Sequence, residues 1–219
     1  PEYLSIDHNY VLRDTLGATG LNTVNYAYAR YGTGEDPVGT AAHHAAEWVR
    51  YDNGRTLYWE IGSENYAEWN EGYRIDTANN QDGQPVTING ELYGKHFKVF
   101  VDSMKKAARE TGVEIHIGAV AFHAAHGDTP VLDTWNGEVF EQVGDVADFI
   151  TLHKYFGKGE NADSTTILET VSDAIQPKEV VSRQLVEHGF EPLPVALSGW
   201  KNNDEGQRQS VTCLNGLHA

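Results

Sequence analysis

Cysteine and positive charge are both scarce in this chain. Cys213 is the only cysteine among 219 residues, which excludes an intramolecular disulfide and any zinc cage built from cysteines. Sixteen Lys and Arg stand against 32 Asp and Glu, a formal net charge of -16. That balance argues against nucleic acid or an anionic membrane surface as partner, and a polyanionic ligand would need a local basic patch. No hydrophobic run is long enough for a membrane-spanning helix. There is no Gly-rich phosphate loop and no Gly-x-Ser-x-Gly elbow, and no cofactor is expected. No signal peptide is visible. The sequence opens on Pro1-Glu2-Tyr3 without an initiator methionine, so a native N-terminus is expected upstream.

What is present is enough apolar sequence, 40%, for one large core, read as a single domain over 1–219. Strand-like and helix-like segments alternate, the pattern of a parallel α/β fold. Strands are expected at Leu21 to Tyr26, Thr56 to Gly62, Glu114 to Phe122, Asp148 to Phe156 and Pro194 to Trp200. Helices are expected at Asp7 to Leu16, from Asp36-Pro37 to Asn53-Gly54, and at Gly94 to Thr111. Four more are expected at Gly137 to Val146, Thr165 to Ile175, Lys178 to Glu187 (set off by Pro177) and Gln207 to His218. The polar segment from Tyr66 to Glu91, with turn signals at Asn79-Asn80 and Asp82-Gly83-Gln84-Pro85, is long for an idle loop. Five strands do not close an eight-stranded barrel, so the chain reads as part of a barrel or as an open sheet.

Polar and aromatic residues gather at the expected C-terminal strand ends, where parallel sheets place their ligands. These are Asn25-Tyr26, Glu64-Asn65, His123, His153 to Tyr155, and Trp200 with Asn202. The second of these tips is the most telling. Tyr58-Trp59-Glu60-Ile61-Gly62-Ser63-Glu64-Asn65 is an aromatic strand ending in a lone carboxylate. It resembles the Trp-Glu-Ile-Gly-Asn-Glu-Asn strand of clan-A glycoside hydrolases, whose fold is the (β/α)8 TIM barrel. Further segments are similar to the β-agarase and β-porphyranase family, glycoside hydrolase family 86. They are Gly72 to Thr77, Asp82 to Pro85, Leu92 to Phe97, Ala147 to Phe149 with His153 to Phe156, and Leu214 to Ala219.

The resemblance implies an incomplete TIM-barrel catalytic domain covering about strands three to seven, with strands one, two and eight outside the chain. It implies endo-hydrolysis of a red-algal galactan, agarose or porphyran, with retained configuration. The partner would be a polysaccharide or oligosaccharide substrate, and the parent protein would be secreted or periplasmic. Retaining hydrolysis uses two carboxyl groups about 5–5.5 Å apart. Glu64 matches the family's acid/base, whereas the nucleophile position of the Ala196-Leu197-Ser198-Gly199-Trp200 strand is Gly199, which has no side chain to form a glycosyl-enzyme. Asp204 and Glu205 are poor substitutes, because a loop places a nucleophile loosely.

Other positions carry two readings each. Ser63 replaces the asparagine that binds the sugar's 2-hydroxyl, with fewer hydrogen-bonding groups. Asn65, His153 and Tyr155 match sugar-contacting positions or are packed strand ends. Trp200 is a stacking platform or a core residue, and Asn25 and Tyr26 are weaker candidates of that kind. Trp69, Tyr73 and Arg74 line a cleft or serve structure; for Arg74 the choice lies between a sulfate contact and a salt bridge. Glu60 is expected inside the barrel, buried and paired with a basic or hydroxyl group. His123 with His126 lacks a strong acidic third ligand and His43-His44 point to different faces of a helix, so no metal is expected. A galactan hydrolase impaired at Gly199, a saccharide-binding pseudoenzyme, and a truncated barrel that self-associates through open sheet edges all remain open to the sequence.

Overall fold

The computed structural model describes residues 5–78, 82–156 and 175–202. Five strands form one parallel sheet: β1 Leu21–Val24, β2 Tyr58–Ile61, β3 His116–Val120, β4 Phe149–Phe156 and β5 Val195–Asn202. Their spatial order is their sequence order. Parallel crossovers are right-handed, so a chain that always steps to the next strand lays its crossover helices on the same face. A doubly wound sheet needs a reversal of order, and this sheet has none. The fold is a five-strand arc of a (β/α)8 barrel, as the alternating pattern led one to expect.

Helices α1 Ile6–Leu16 and α2 Ala27–Tyr31 flank β1. The crossovers are made by α3 Pro37–Asp52, α4 Gly90–Thr111, α5 Pro130–Val143 and α6 Ile175–Glu187. Local chemistry sets their ends. Asp36 accepts from Gly39 N at 2.8 Å with Pro37 in the first turn, and Gly17 closes α1 at φ +63°. Helix α4 starts a turn earlier than Gly94, because Asn89 caps it by accepting from Leu92 N at 2.9 Å. The early glycines are packing residues. A Cβ at Gly90 would lie 2.4 Å from Trp135 O and one at Gly94 2.4 Å from Gln142 Cβ, so α4 rests directly on α5.

Helix α5 also begins earlier than the sequence suggests, at Pro130, with Thr129 accepting from Leu132 N at 3.2 Å. Pro177 does not precede α6; it lies inside it, after Ile175 and Gln176. The short α2 has too few residues for a periodic signal and was not anticipated. The expected helices at Thr165 and at Gln207, the Asn79-Asn80 turn, Asp204, Glu205, Cys213 and the Leu214 to Ala219 motif lie outside the described residues.

The core lies between sheet and helices. Trp59 and Ile61 of β2 meet Ala42, Ala46 and Val49 of α3, and Tyr93, Phe97, Phe100 and Met104 of α4, all nearly solvent-free. Their spacing along α4 follows the helical repeat. Three buried aromatics satisfy their polar atoms on the sheet: Trp59 Nε1 donates to Thr56 O and Trp135 Nε1 to Val120 O, each at 3.0 Å. Tyr93 Oη donates to Ile61 O at 2.8 Å and accepts from Val120 N at 3.0 Å. The last contact ties the ends of β2 and β3 together immediately below the Glu64 turn.

Candidate functional site

Strand β2 ends at Ile61, and the chain then turns sharply. Gly62 takes φ +74° and Glu64, a residue with a Cβ, takes φ +47°. A left-handed non-glycine backbone is strained and persists where its surroundings hold it. Here Asn70 Nδ2 donates to Ser63 O in a short contact, Ala67 N donates to Glu64 O at 2.8 Å, and Gly62 N donates to Val24 O at 3.1 Å. The turn swings the Glu64 carboxylate over the end of the sheet toward β4.

There it meets His153. Nδ1 of His153 lies 2.9 Å from Glu64 Oε1, Trp69 Nε1 donates to Glu64 Oε2 at 3.3 Å, and Ser63 Oγ lies 3.4 Å from His153 Nε2. Glu64 and His153 are both largely shielded, with 16% and 15% of their side chains exposed. The imidazole is thus held at both nitrogens and the carboxylate at both oxygens. A carboxylate accepts only, so Nδ1 carries the proton toward Glu64, and Nε2 faces the Ser63 hydroxyl.

Gly199 is the other half of this arrangement. Leu152 pairs with Leu197 but His153 pairs with Gly199, so the β4–β5 register slips by one residue and Ser198 is left unpaired. The irregularity turns Gly199, rather than Ser198, onto the face of His153. A Cβ at Gly199 would stand 2.7–2.8 Å from Cδ2, Cγ and Cε1 of that ring. The imidazole therefore lies flat on the glycine, in the space that a side chain at position 199 would need.

A cleft of about 240 Å³ opens beside this cluster, walled by Tyr66, Trp69, Phe122, His123, Lys154 and Tyr155 around Glu64 and His153. Its members come from the C-terminal ends of successive strands, the end at which barrel enzymes work. His123 is pushed down to about 4, first by burial and then by Lys154, with Glu64 opposing. It is a neutral imidazole at neutral pH. The phenols of Tyr66 and Tyr155 are raised, each by burial and then by Glu64. Lys154 makes no ion pair among the described residues, so it is the cleft's one uncommitted cation there. A larger cavity of about 450 Å³ lies at the opposite end of the strands, between Tyr58, His116, Phe149 and Val195. Its only carboxylate, Asp148, is committed to Lys105 Nζ and Ile117 N, each at 2.7 Å. The candidate site therefore lies at the Glu64 rim.

The structure thus brings Ser63, Glu64, Trp69, His153 and Tyr155 together with position 199. Trp200 is 47% exposed and pairs with Lys154 on the neighbouring strand. Several other candidates point elsewhere. Asn65 is buried, folded under Gly62, and its Oδ1 has no partner among the described residues. Asn25 is exposed and accepts from Tyr28 N at 3.4 Å. Tyr26 and Tyr73 are core residues, Tyr26 Oη lying 3.0 Å from His96 Nδ1. Arg74 is exposed above the Tyr73 ring at 6.0 Å and forms no ion pair among the described residues, so the salt-bridge reading has no support there. Glu60 is buried and accepts from Thr23 Oγ1 at 2.6 Å, the hydroxyl partner its position called for. His126 pairs with Asp133 at the surface and His43 with Glu47. Among the described residues no three His, Cys, Asp or Glu converge as a metal site. Tyr66 and Lys154 were missed by sequence reasoning. Lys154 sits beside His153, and its position in a strand-end cluster was the available signal.

No protein-family model matches the chain, and no curated protein sequence matches it. Solved structures of α-L-arabinofuranosidases are similar to it. The enzyme from Thermotoga maritima, solved with arabinose, superposes with a TM-score of 0.53 at 21% identity over 90% of this chain. A family 51 α-L-arabinofuranosidase from Bifidobacterium longum gives 0.62 at 17% identity, also over 90%. A third arabinofuranosidase gives 0.59 at 20% over 98%. This chain spans only 37%, 38% and 42% of those chains. The likeness establishes a partial barrel of the kind these glycoside hydrolases use.

Proposed function

We propose that this chain is a saccharide-binding portion of a clan-A glycoside hydrolase barrel in which glycosidic cleavage is disabled at position 199. The observation that carries this reading is the contact between Glu64 and His153 on a side-chain-free Gly199. In a retaining hydrolase, one carboxyl protonates the leaving oxygen while a second, about 5–5.5 Å away, attacks the anomeric carbon. Glu64 has the first position. The second is glycine, and the histidine ring occupies its space. Both Glu64 oxygens already accept hydrogen bonds, whereas an acid needs one oxygen free to hand a proton to the substrate. Exposed Trp69 and half-exposed Tyr155 at the cleft mouth suit the apolar faces of sugar rings.

The ligand class follows from the sequence motifs: a red-algal galactan, with Lys154 as the cation that a sulfated residue would meet. A location outside the cytoplasm, secreted or periplasmic, goes with that substrate. A furanoside reading has one support of its own, the arabinofuranosidase fold match. Titration calorimetry with agarose, porphyran and arabinan oligosaccharides tests both, alongside a reducing-end assay. Binding of galactan fragments without product is expected. Binding of none of the three sets would reject the saccharide reading, and selective binding of arabinan fragments would replace the galactan.

A further inference from the structure

The two side chains that hold His153 in place define, together with the ring, a reaction that a glycosidase does not perform. Ser63 Oγ faces Nε2 of the imidazole at 3.4 Å, and Nδ1 of the same ring faces Glu64 Oε1 at 2.9 Å. A hydroxyl, an imidazole and a carboxylate in line, with the ring bridging through its two nitrogens, is the nucleophile, base and orienter arrangement of acyl-transfer enzymes. Such a set is recognised by geometry and roles rather than by sequence spacing. We propose that Ser63, His153 and Glu64 form a hydrolytic relay that cleaves carboxylic esters, short acyl groups carried on a sugar hydroxyl being the class that fits the cleft.

Each element has a physical reason to be where it is. The left-handed turn at Glu64 presents Ser63 at the tip of a strand, half-buried, with a strained residue immediately after it. The backbone N–H groups of Glu64 and Asn65 donate to no acceptor among the described residues. They follow the hydroxyl directly, where donors for a developing oxyanion are needed. Trp69 Nε1 holds the far oxygen of Glu64 at 3.3 Å, so the carboxylate keeps its nearer oxygen aimed at the ring. Gly199 seats the ring itself, since any side chain there would displace it. The glycine that denies a glycosidase its nucleophile is therefore the residue whose smallness permits the relay. The 3.4 Å serine contact is long, as such contacts commonly are without substrate.

The step balances without any metal or redox partner. Ser63 Oγ forms a bond to the ester carbonyl carbon while its proton passes to His153 Nε2. The tetrahedral intermediate collapses, the carbon–oxygen bond to the alcohol breaks, and Nε2 returns the proton to that leaving oxygen. Water then attacks the acyl-serine with His153 again taking the proton. The carboxylic acid departs and the serine hydroxyl is restored.

The serine chemistry can be read without saccharide recognition, so it is tested with a ligand that carries no sugar. The intact chain is incubated with a fluorophosphonate and the modified residue is located by peptide mass spectrometry. Ser63 is expected to be labelled far faster than Ser103 and Ser182, which are half-buried as it is. Labelling is expected to be roughly 100-fold slower in His153→Ala, the scale of a lost general base. Added imidazole should restore part of the rate in that variant, a rescue that a merely structural role would not show. Glu64→Gln should slow labelling while near-ultraviolet circular dichroism stays unchanged. Labelling of the unmodified chain at Ser63 no faster than at Ser103 overturns the proposal, and that reading needs no variant to fold. So does an undiminished rate in a folded His153→Ala. Oligosaccharide binding measured separately reports on the saccharide reading alone.

Discussion

Gly199→Ala is the smallest change that tests how the site is built. The added methyl would stand 2.7 Å from Cδ2 and Cγ of His153 and 2.8 Å from Cε1, against an ordinary contact of at least 3.4 Å. The shortfall of about 0.7 Å cannot come from the backbone cheaply, because β4 and β5 are paired on both sides of this point. The ring must move instead, and it is held by Glu64 at 2.9 Å and Ser63 at 3.4 Å. Overpacking of this kind costs about 1–3 kcal/mol. A double-mutant cycle with His153→Ala isolates the cause, since removing the ring removes the obstruction. Urea unfolding of the four proteins should show Gly199→Ala destabilising the parent by that amount. It should be near neutral when His153 is already alanine, a coupling of about 1–3 kcal/mol between the two sites. Additive costs, or a Gly199→Ala protein as stable as its parent, would refute the placement of His153 on the glycine. The same logic applies to restoring a nucleophile: Gly199→Glu should stay inactive toward glycosides while His153 is present.

Three further outcomes follow from the scaffold beneath the site. Tyr93→Phe removes the hydroxyl between Ile61 O and Val120 N and leaves both buried groups unpaired, costing about 2–4 kcal/mol in chemical denaturation. Arg30 is fully buried and clamps the 66–89 segment by donating to Gly72 O, Gln84 Oε1, Pro85 O and Val86 O. Lysine cannot reproduce that fork, so Arg30→Lys should cost about 1–3 kcal/mol and speed proteolysis between Asp76 and Gln84. Burial pushes His96 down to about 4, with Arg30 adding to the effect. The unfolded chain therefore binds the extra proton first as pH falls from about 6.5. Stability is complete above that value and drops toward pH 4 by on the order of 3 kcal/mol for His96, and His123 acts in the same direction. Urea midpoints measured from pH 7.5 to 4.5 should fall, and His96→Gln should flatten the slope.

Much of the fold was legible because its signals are local. The strands are short apolar runs and α4 carries its apolar stripe at helical spacing. Asp36, Asn53 and Gly17 mark helix ends with side chains and backbone conformations that act within a few residues. The errors arose where a local signal had a distant cause. The helix expected from Gly94 begins at Gly90, and both glycines are small because α5 lies against them. Pro177 looks like a boundary, yet α6 already includes Ile175 and Gln176 before it. At the site, Glu64 and His153 were each legible as strand-end residues. Asn65 and Tyr26 carried the same signal and are buried in the core instead.

By itself the sequence determined the architecture and the end of it where the candidate site lies. Apolar periodicity selects which faces are buried, and alternating strands and helices with right-handed crossovers allow few arrangements. It also determined that position 199 carries no carboxylate. Only the tertiary structure decided what that absence means. The one-residue slip beside Ser198 turns Gly199 under His153, and the left-handed turn at Glu64 swings a carboxylate onto the same ring. Ser63 and Glu64 are neighbours in the chain, but they become partners of one imidazole 90 and 89 positions away. Contacts of that range depend on the register between strands and on backbone dihedrals, which no local pattern of residues encodes.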